Sequence, residues 1–140
     1  MNYGKRIAFI PPGGKNFIHV GDVATGICNA IDLARQGECY LLVHENLTFS
    51  EFYTKIQIVT GKRQHQILLP KRLVTTLGLL GDLPGRLGFR TNLNPINASM
   101  LCVGNYYSAA KAVKYLNLPQ TPVEQAITDA LEWFAQNGYL

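Results

Sequence analysis

The sequence predicts an α/β protein of one domain, built around a strand–helix–strand unit. The chain has 140 residues, of which 47% are apolar and 16% charged, a balance typical of globular rather than disordered proteins. Short apolar runs alternate along it with segments of helical periodicity, and capping and glycine signals separate them. A chain of this length buries about two-thirds of its unfolded surface, so a core can form without disulfides. We therefore expect a single domain over residues 1–140.

The chain begins with two predicted strands and a helix. Lys5–Ile10 is a short apolar segment that the turn residues at 11–14 bring to an end. Asn16–Val20 is the second strand, and Asp22 stands where an N-cap is expected. Gly37 marks the predicted end of the helix. Its apolar residues recur at helical spacing and are expected to face the core: Val23, Ile27, Ile31 and Ala34.

Glu38–Val43 is a continuous apolar run of strand length, as in strands that are covered on both faces. With Asn16–Val20 and the helix between them it makes a βαβ unit. Such a unit predicts two parallel strands joined by a right-handed crossover.

The middle of the chain predicts a helix, a strand and a second helix. Thr48–Glu51 is a capping box, which places a helix over 49–60 that ends at Gly61. Gln66–Leu69 resembles a strand, and Lys71–Leu80 a helix.

The last third predicts a long loop followed by two helices. The stretch 81–106 is rich in glycine and proline and has little periodicity, so we expect a functional or mobile loop there. Ser108 is placed to cap a short helix that ends near Tyr115. Thr121–Glu124 is a second capping box, and Gly138 ends the helix it starts. The predicted inner stripe of this last helix is Val123, Ile127, Ala130, Leu131 and Phe134.

Charge and cysteine content predict a cytoplasmic protein. The net charge of +4 comes from dispersed basic residues, so it favours acidic or phosphate-bearing small molecules without predicting a nucleic-acid surface. Three widely spaced cysteines without a C-x-x-C pair indicate reduced, partly buried thiols. We find no secretory signal and no apolar run of membrane-spanning length, so we expect no membrane partner.

Two short sequence patterns resemble motifs of cofactor-dependent enzymes, and we interpret both as structural. Tyr107 and Lys111 have the Y-x-x-x-K spacing in which a lysine lowers the pKa of a catalytic tyrosine. They stand at a loop-to-helix junction near the C-terminus, with no nucleotide-binding half before them. The glycines between Gly78 and Gly88 follow an apparent helix, whereas a phosphate loop follows a strand and opens a helix.

The candidate ligand-binding residues are Lys15, His44 and Glu45. The three histidines are too far apart in sequence to suggest a metal site. His44 and Glu45 follow a predicted strand end, where ligands approach parallel sheets. Lys15 follows the turn at 11–14, at a loop mouth where its ammonium could meet a phosphate. For each, an ordinary surface or core role is the alternative.

Four motifs in order resemble the extended short-chain dehydrogenases, the family of NAD(P)-dependent nucleotide-sugar epimerases and dehydratases and of dihydroflavonol-reductase-like enzymes. The first is Gly13–Ala24, which is similar to the family's "G-R-D/N-F/Y-V/I-H-V-x-D-V-A" segment. Gly37–Phe52 resembles the strand, loop and helix start that follow it. Tyr107–Ala112 and Thr121–Tyr139 resemble the family's late motif and terminal helix.

The resemblance implies a partial Rossmann βαβ unit together with the small helical substrate-binding lobe of such an enzyme. It implies that the N-terminal nucleotide-binding half is absent, and with it the catalytic residues and the NAD(P) site of the full-length enzyme. Lys15 stands where many members have an arginine that contacts a substrate diphosphate. The second phosphate-binding arginine of the sugar-nucleotide enzymes has no counterpart between Asn97 and Tyr107, which leaves the reductase branch equally open.

The function we expect is therefore substrate binding by the C-terminal domain of an epimerase, dehydratase or reductase, that is, of an isomerase or oxidoreductase. The chain alone is expected to bind no cofactor and to catalyse nothing. The alternative is a stand-alone binding or oligomerisation module derived from that domain. A homodimer is expected because a βαβ unit without its remaining sheet has an exposed edge. Nucleic-acid binding through the basic pairs is a third, weaker hypothesis.

Overall fold

The structure, a computed structural model, describes residues 7–86 and 95–139. It has four short strands and six helices in the described part of the chain. The strands are β1 (Ile7–Ile10), β2 (Gly14–Phe17), β3 (Glu45–Thr48) and β4 (His65–Leu68). The helices are α1 (Val20–Leu33), α2 (Phe49–Thr60), α3 (Lys71–Arg86), α4 (Pro95–Met100), α5 (Ala110–Leu116) and α6 (Val123–Gln136).

The strands form two separate pairs. In the first, β1 is parallel to β4, with Ile7 opposite His65 and Ile10 opposite Leu68. In the second, β2 is antiparallel to β3, with Gly14 opposite Thr48. The small parallel sheet with several helices confirms the predicted α/β class and matches part of a Rossmann-like unit with a helical lobe.

The predicted strand pairing is wrong in its details. The second strand is Gly14–Phe17 rather than Asn16–Val20, and its partner is β3, the strand Glu45–Thr48. Glu38–Val43 belongs to neither sheet. Its apolar pattern is compatible with a strand. A strand also needs a neighbouring strand to hydrogen-bond with, and residues 7–86 and 95–139 supply none for this segment.

The start of α1 also differs from the prediction. His19 is the N-cap, and its Nδ1 accepts a hydrogen bond from the Gly21 backbone N–H at 2.9 Å. Asp22 lies inside the first turn and is buried. The helix ends at Leu33, earlier than the predicted stop at Gly37, although Gly37 does have a positive φ of 78°.

The helical predictions are best for α2. It spans Phe49–Thr60, as predicted; the capping box between Thr48 and Glu51 is formed, and Gly61 ends it with a φ of 66°. Strand β4 begins one residue earlier than predicted. Helix α3 begins at Lys71 as predicted but continues to Arg86.

The predicted loop over 81–106 is wrong where the structure describes it as helix. Residues 81–86 continue α3, and Pro95–Met100 form α4, which packs against it. Residues 87–94 lie outside the described part of the chain. The short helix after Ser108 is confirmed as Ala110–Leu116, but its N-cap is Ala109 rather than the predicted Ser108. The Ser108 Oγ accepts a hydrogen bond from the Ala110 N–H.

The main apolar cluster lies between α1, α5 and the 40–43 segment. Its buried members are Ala109, Ala112, Leu116 and Leu118, and Leu42 is among the partly buried residues that pack on them. Gly26 of α1 allows close approach here, because a Cβ on it would lie 2.7 Å from a methyl carbon of Leu118 and 3.1 Å from one of Leu42. Within the described part of the chain, none of the helices combines the length and apolar character that a membrane crossing requires.

Candidate ligand-binding cavity

An open cavity of about 480 Å³ lies beside β2, and Lys15 forms part of its wall. The backbone of Gly13 and Gly14 packs closely against residues 101–105, and this packing fixes the position of Lys15. Gly13 donates its N–H to the Leu101 carbonyl at 3.0 Å, and the Gly14 carbonyl accepts from the Asn105 N–H at 3.1 Å. A Cβ on Gly13 would lie 2.5 Å from the Leu101 oxygen, so only glycine fits this approach without a backbone shift. The wall consists of Lys15, Asn16, Ile18, Leu42, Val43, Met100, Asn105 and Tyr107.

A set of amide hydrogen bonds fixes the polar side of this cavity. The Asn16 side chain donates to the Asn46 Oδ1 at 2.7 Å and accepts from the His44 N–H at 3.0 Å. Asn46 in turn accepts from the Tyr107 N–H at 3.0 Å and donates to the Tyr107 carbonyl at 2.9 Å. The backbone of Tyr107 is thereby held against β3, although the two residues are 61 positions apart.

The chemistry of this wall suits an anionic ligand with an apolar part. Lys15 forms no ion pair among the described residues, so its ammonium is available to an anion. Ile18, Leu42, Val43 and Met100 supply an apolar surface beside it. A positive charge at the edge of an apolar wall is an arrangement that binds phosphate esters of organic molecules.

His44 and Glu45 do not line the Lys15 cavity. The His44 Nδ1 lies 2.6 Å from the Gln120 Oε1. One Glu45 oxygen accepts from the Val123 N–H at 2.9 Å, at the start of α6, and the other lies 3.0 Å from the Lys55 ammonium. Both Glu45 oxygens therefore have protein partners, and the structure separates this pair from the predicted Lys15 site.

Lys55 joins three elements through its two carboxylate partners. It lies on α2, hydrogen-bonds to Glu124 on α6 and forms an ion pair with Glu45 on β3. The hydrogen bond to Glu124, followed by that to Glu45, raises the pKa of Lys55 above its ordinary value. The same hydrogen bond from Lys55 lowers the pKa of Glu124. The cluster stabilises the contact between α2, β3 and α6.

Asp22 links the starts of α1 and α6. It is 4% exposed, and its two oxygens accept hydrogen bonds from the Thr121 N–H and hydroxyl, each at 2.7 Å. The second predicted capping box is therefore not formed, because the Thr121 hydroxyl donates to Asp22 and the N-cap of α6 is Pro122. A second link runs from His19 to Asp129, at 2.9 Å, and His19 lowers the pKa of Asp129.

The two patterns that imitate cofactor chemistry have structural roles in the described residues. Lys111 donates to the Cys39 carbonyl at 2.9 Å, pairs with Glu38 at 3.4 Å and lies over the Tyr40 ring. Gly78 lies inside α3, whereas a phosphate loop would precede a helix. Gly88 lies outside the described residues. Among those residues, His, Cys, Asp and Glu side chains are not grouped in threes as a metal site requires.

The sequence interpretation missed an apolar groove between α2 and α6. It has a volume of about 390 Å³, and the stacked rings of Phe17 and Phe52, 4.1 Å apart, lie in its wall. The predicted inner stripe of α6 lines this groove instead of filling a closed core, because only Val123 and Ile127 of the stripe are buried. The apolar stripe of α6 was the sequence feature that could have indicated this groove.

The cysteine prediction is partly wrong. Cys28 and Cys39 are exposed, and Cys102 is partly buried. All three are free thiols in the structure.

Two known proteins that resemble this chain are much longer than it. No family model matches the chain. A Synechocystis protein described as "Putative dihydroflavonol 4-reductase" is 31% identical over 132 residues, which are 91% of this chain and 38% of that protein. The crystal structure of gox2253 superimposes with a TM-score of 0.70 at 26% identity, over 91% of this chain and 40% of that one.

The chain thus spans about two-fifths of the length of each relative. It resembles a fragment of such a protein. The similarity to a protein described as a putative reductase extends over 91% of this chain and agrees with its resemblance to the epimerase-like short-chain dehydrogenases.

Proposed function

We propose that the chain is the substrate-binding C-terminal domain of an NAD(P)-dependent nucleotide-sugar epimerase, dehydratase or related reductase, and that it is catalytically inactive alone. The observation that carries the proposal is the Lys15 cavity. It combines a cation that forms no ion pair with the other described residues and an apolar wall. The wall includes Leu42 and Val43, whose segment has no strand partner within residues 7–86 and 95–139. The relatives' greater length supports the same assignment.

The described residues do not fit an NAD(P) site. A dinucleotide pyrophosphate binds where a strand passes through a glycine-rich turn into a helix N-terminus. Here β1 passes through the turn at 11–14 into another strand, β2. The start of α1 follows β2, but the carboxylate of Asp22 lies in its first turn. We therefore assign cofactor binding to the part of the full-length enzyme that this chain does not span.

Ligand binding tests the proposal directly. We expect UDP-glucose, used as the probe, to shift the amide NMR signals of Lys15, Asn105 and Tyr107 in the wild-type chain. Lys15→Ala removes the charge and should weaken binding about 10-fold. Lys71→Ala, which removes an exposed lysine at the start of α3, is the matched control and should leave binding unchanged. Equal affinity in wild type and Lys15→Ala would contradict the assigned site.

Turnover supplies the second test. The isolated chain, given NAD+ or NADP+ and UDP-glucose, is expected to form no epimerised, dehydrated or oxidised sugar nucleotide and no reduced cofactor, as chromatography of the nucleotide sugars and absorbance will show. Measurable turnover would show that the chain is a complete enzyme.

The alternative function is a stand-alone binding or oligomerisation module, and exposed apolar residues on α1 favour it. Ile27 is 56% exposed and Ile31 is 82% exposed, although the sequence pattern predicts both as core residues. Light scattering at micromolar concentration distinguishes the two proposals. A dimer that binds no nucleotide sugar favours the module, and a monomer that binds through Lys15 favours the substrate-binding domain. We also propose a cytoplasmic location for either form, since the predicted reduced thiols suit that compartment.

A further inference from the structure

The groove between α2 and α6 is apolar along most of its length and polar at one end. Near the start of α2 the rings of Phe17 and Phe52 stack with their centroids 4.1 Å apart, and both residues lie in the groove wall. The polar residues of the wall stand in the last turn of α2 or just after it: Gln57, Thr60, Lys62 and Gln64. A groove divided in this way suits a ligand that has an apolar body and one polar end.

The dimensions of the groove exclude a helix as its occupant. Phe52 and Thr60 are both on α2, and the helical rise between them gives the groove a length of about 12 Å. Its volume of about 390 Å³ then corresponds to a mean cross-section of about 30 Å². A helix about 10 Å in diameter has a cross-section of about 80 Å². A single extended alkyl chain is narrow enough, and about ten carbons joined by bonds of about 1.5 Å reach the length of the groove.

The groove is already formed in the structure, and aliphatic side chains line it on both helices. Ile127 of α6 is 8% exposed, and Ile56 of α2 and Leu131 of α6 are half-buried. The ion pair between Lys55 and Glu124 holds α2 against α6, so a ligand does not have to bring the two helices together. Burial of an alkyl chain here removes apolar surface of both ligand and protein from water.

The charge at the polar end favours an anion. Lys62 is the only charged residue in the groove wall that the described residues form. The C-terminus of α2 contributes about half a negative charge at this end, which is smaller than the full positive charge of Lys62. The balance therefore attracts a carboxylate, whose single charge one ammonium neutralises.

We propose that this groove binds a fatty acid of about eight to twelve carbons, with its alkyl chain between α2 and α6 and its carboxylate beside Lys62. The inference goes beyond the proposed function, because the walls of this groove and of the Lys15 cavity have only Ile18 in common. The two ligands are therefore expected to bind independently.

A series of fatty acids tests the apolar part of the site. Calorimetric titration of the full 140-residue chain with hexanoate, octanoate and decanoate should show the affinity rising about 4-fold for each added methylene. The rise should stop at about twelve carbons, where the alkyl chain is longer than the groove. An affinity that does not depend on chain length, or no binding of decanoate at millimolar concentration, would overturn the inference. Tighter binding of naphthoate than of decanoate would identify a flat aromatic ligand and would overturn it as well.

Lys62→Gln tests the polar end. The substitution removes the charge and keeps a polar side chain, so decanoate should bind about 5- to 10-fold more weakly. Decanol, which has the same chain without the charge, should bind wild type and Lys62→Gln equally. Lys71→Gln, at the exposed start of α3, is the matched control and should leave the affinity for decanoate unchanged. A loss of affinity shared by decanoate and decanol would give Lys62 a purely structural role and remove the assigned carboxylate.

Two exposed alanines on α6 locate the alkyl chain. Ala130 lines the groove, and Ala130→Phe should fill it and abolish decanoate binding. Ala135 lies on the same helix outside the groove wall, so Ala135→Phe should bind decanoate as wild type does. The thermal transition of each variant shows that it is folded. Undiminished binding by a folded Ala130→Phe variant would place the fatty acid elsewhere.

Lys15→Ala separates this site from the proposed function. Decanoate should bind this variant and wild type with equal affinity. A loss of decanoate binding would place the fatty acid in the Lys15 cavity and overturn the inference, whereas failure of UDP-glucose to bind wild type would contradict the proposed function alone. Light scattering during the titration is the final check, because a dimer that decanoate dissociates would show that a second copy of the chain occupies the groove instead.

Discussion

The α2–β3–α6 region and the face formed by α1 with residues 39–43 differ in how completely their groups are paired. In the first region Lys55 pairs with both Glu45 and Glu124, and Glu45 also accepts from the start of α6. In the second, apolar α1 residues are exposed, and the backbone N–H groups of residues 40–42 have no hydrogen-bond partner in the part of the chain that the structure describes. Among the described residues, the charged groups of the first region are paired, whereas the second region keeps apolar side chains and backbone N–H groups exposed or without partners.

We therefore expect substitutions in the paired region to lower the free energy of unfolding, and substitutions on the α1 face of the isolated chain to leave it almost unchanged. Asp22 links the two regions, because it lies on α1 but accepts both of its hydrogen bonds from Thr121 beside α6. The contact between His19 and Asp129 is a second link.

Asp22→Ala is therefore expected to have the largest effect, a loss of about 2–3 kcal/mol in the free energy of unfolding. It leaves the Thr121 N–H and hydroxyl without their acceptors in a buried site. Urea denaturation measures the loss. Asp32→Ala, which removes an exposed carboxylate from the same helix, should change the free energy by less than about 0.5 kcal/mol. Similar losses in the two variants would show that the Thr121 contact does not join α1 to α6.

Replacement of Lys55 tests whether the paired region depends on its central cation. Lys55→Met leaves Glu45 and Glu124 facing one another without a cation, and should cost about 1–2 kcal/mol because both are partly solvated. Lys71→Met is the matched exposed control, and urea denaturation measures both variants. Equal stability of the two would indicate that the hydrogen bond from the α6 backbone is sufficient to hold Glu45.

The same cluster predicts a dependence of stability on pH. Lys55 lowers the pKa of Glu124 in the folded chain, so its stabilising contribution is complete above the ordinary glutamate pKa. It should be lost over the acidic window in which the pH falls from the ordinary glutamate pKa through the lowered one. Thermal unfolding across that window is expected to show a steeper decrease for wild type than for Lys55→Met. Parallel curves would assign the acid sensitivity to other carboxylates, such as Asp129.

The sequence was a good guide in the paired region because its signals there are local. The capping box at Thr48–Glu51 and the glycine at 61 act within one helical turn, so α2 could be predicted to the residue. In contrast, the pairing of β2 with β3 depends on contacts across about 30 residues, and the sequence favoured Glu38–Val43 instead. The apolar spacing of Ile27 and Ile31 predicted burial, but burial needs a neighbour that residues 7–86 and 95–139 do not supply.

In the candidate site, too, local signals were predictive and contacts between distant segments were not. Lys15 was identified from a local turn, and the structure places it in a cavity wall. His44 and Glu45 were identified from their place after a predicted strand, but contacts with Gln120, Lys55 and the α6 backbone hold them. Residues from distant segments, such as Asn105 and Met100, gave no local signal.

A smaller effect is expected at Gly61, where the left-handed backbone conformation of one residue ends α2. Its φ of 66° is strained for an alanine, and a Cβ there would meet no atom within 4 Å. Gly61→Ala should therefore cost about 1 kcal/mol through backbone strain without any steric clash. Gly61→Asn should cost less, since asparagine tolerates this region better. Equal unfolding free energies for wild type and Gly61→Ala would show that α2 ends without the left-handed residue.

The smallest effect is expected on the α1 face, where Ile31→Lys should change the unfolding free energy of the isolated chain by less than about 0.5 kcal/mol. Ile31 is 82% exposed, so the substitution removes little packing and buries no charge. Ile127→Lys, at a buried position on α6, is the contrasting variant and should unfold the chain or destabilise it severely. Urea denaturation at low protein concentration measures both, because dimerisation through α1 would add a stability that depends on concentration. A loss at Ile31 that grows with concentration would show that copies of the chain already cover this face, and the contrast between the two regions would then be one between an internal and an intermolecular interface.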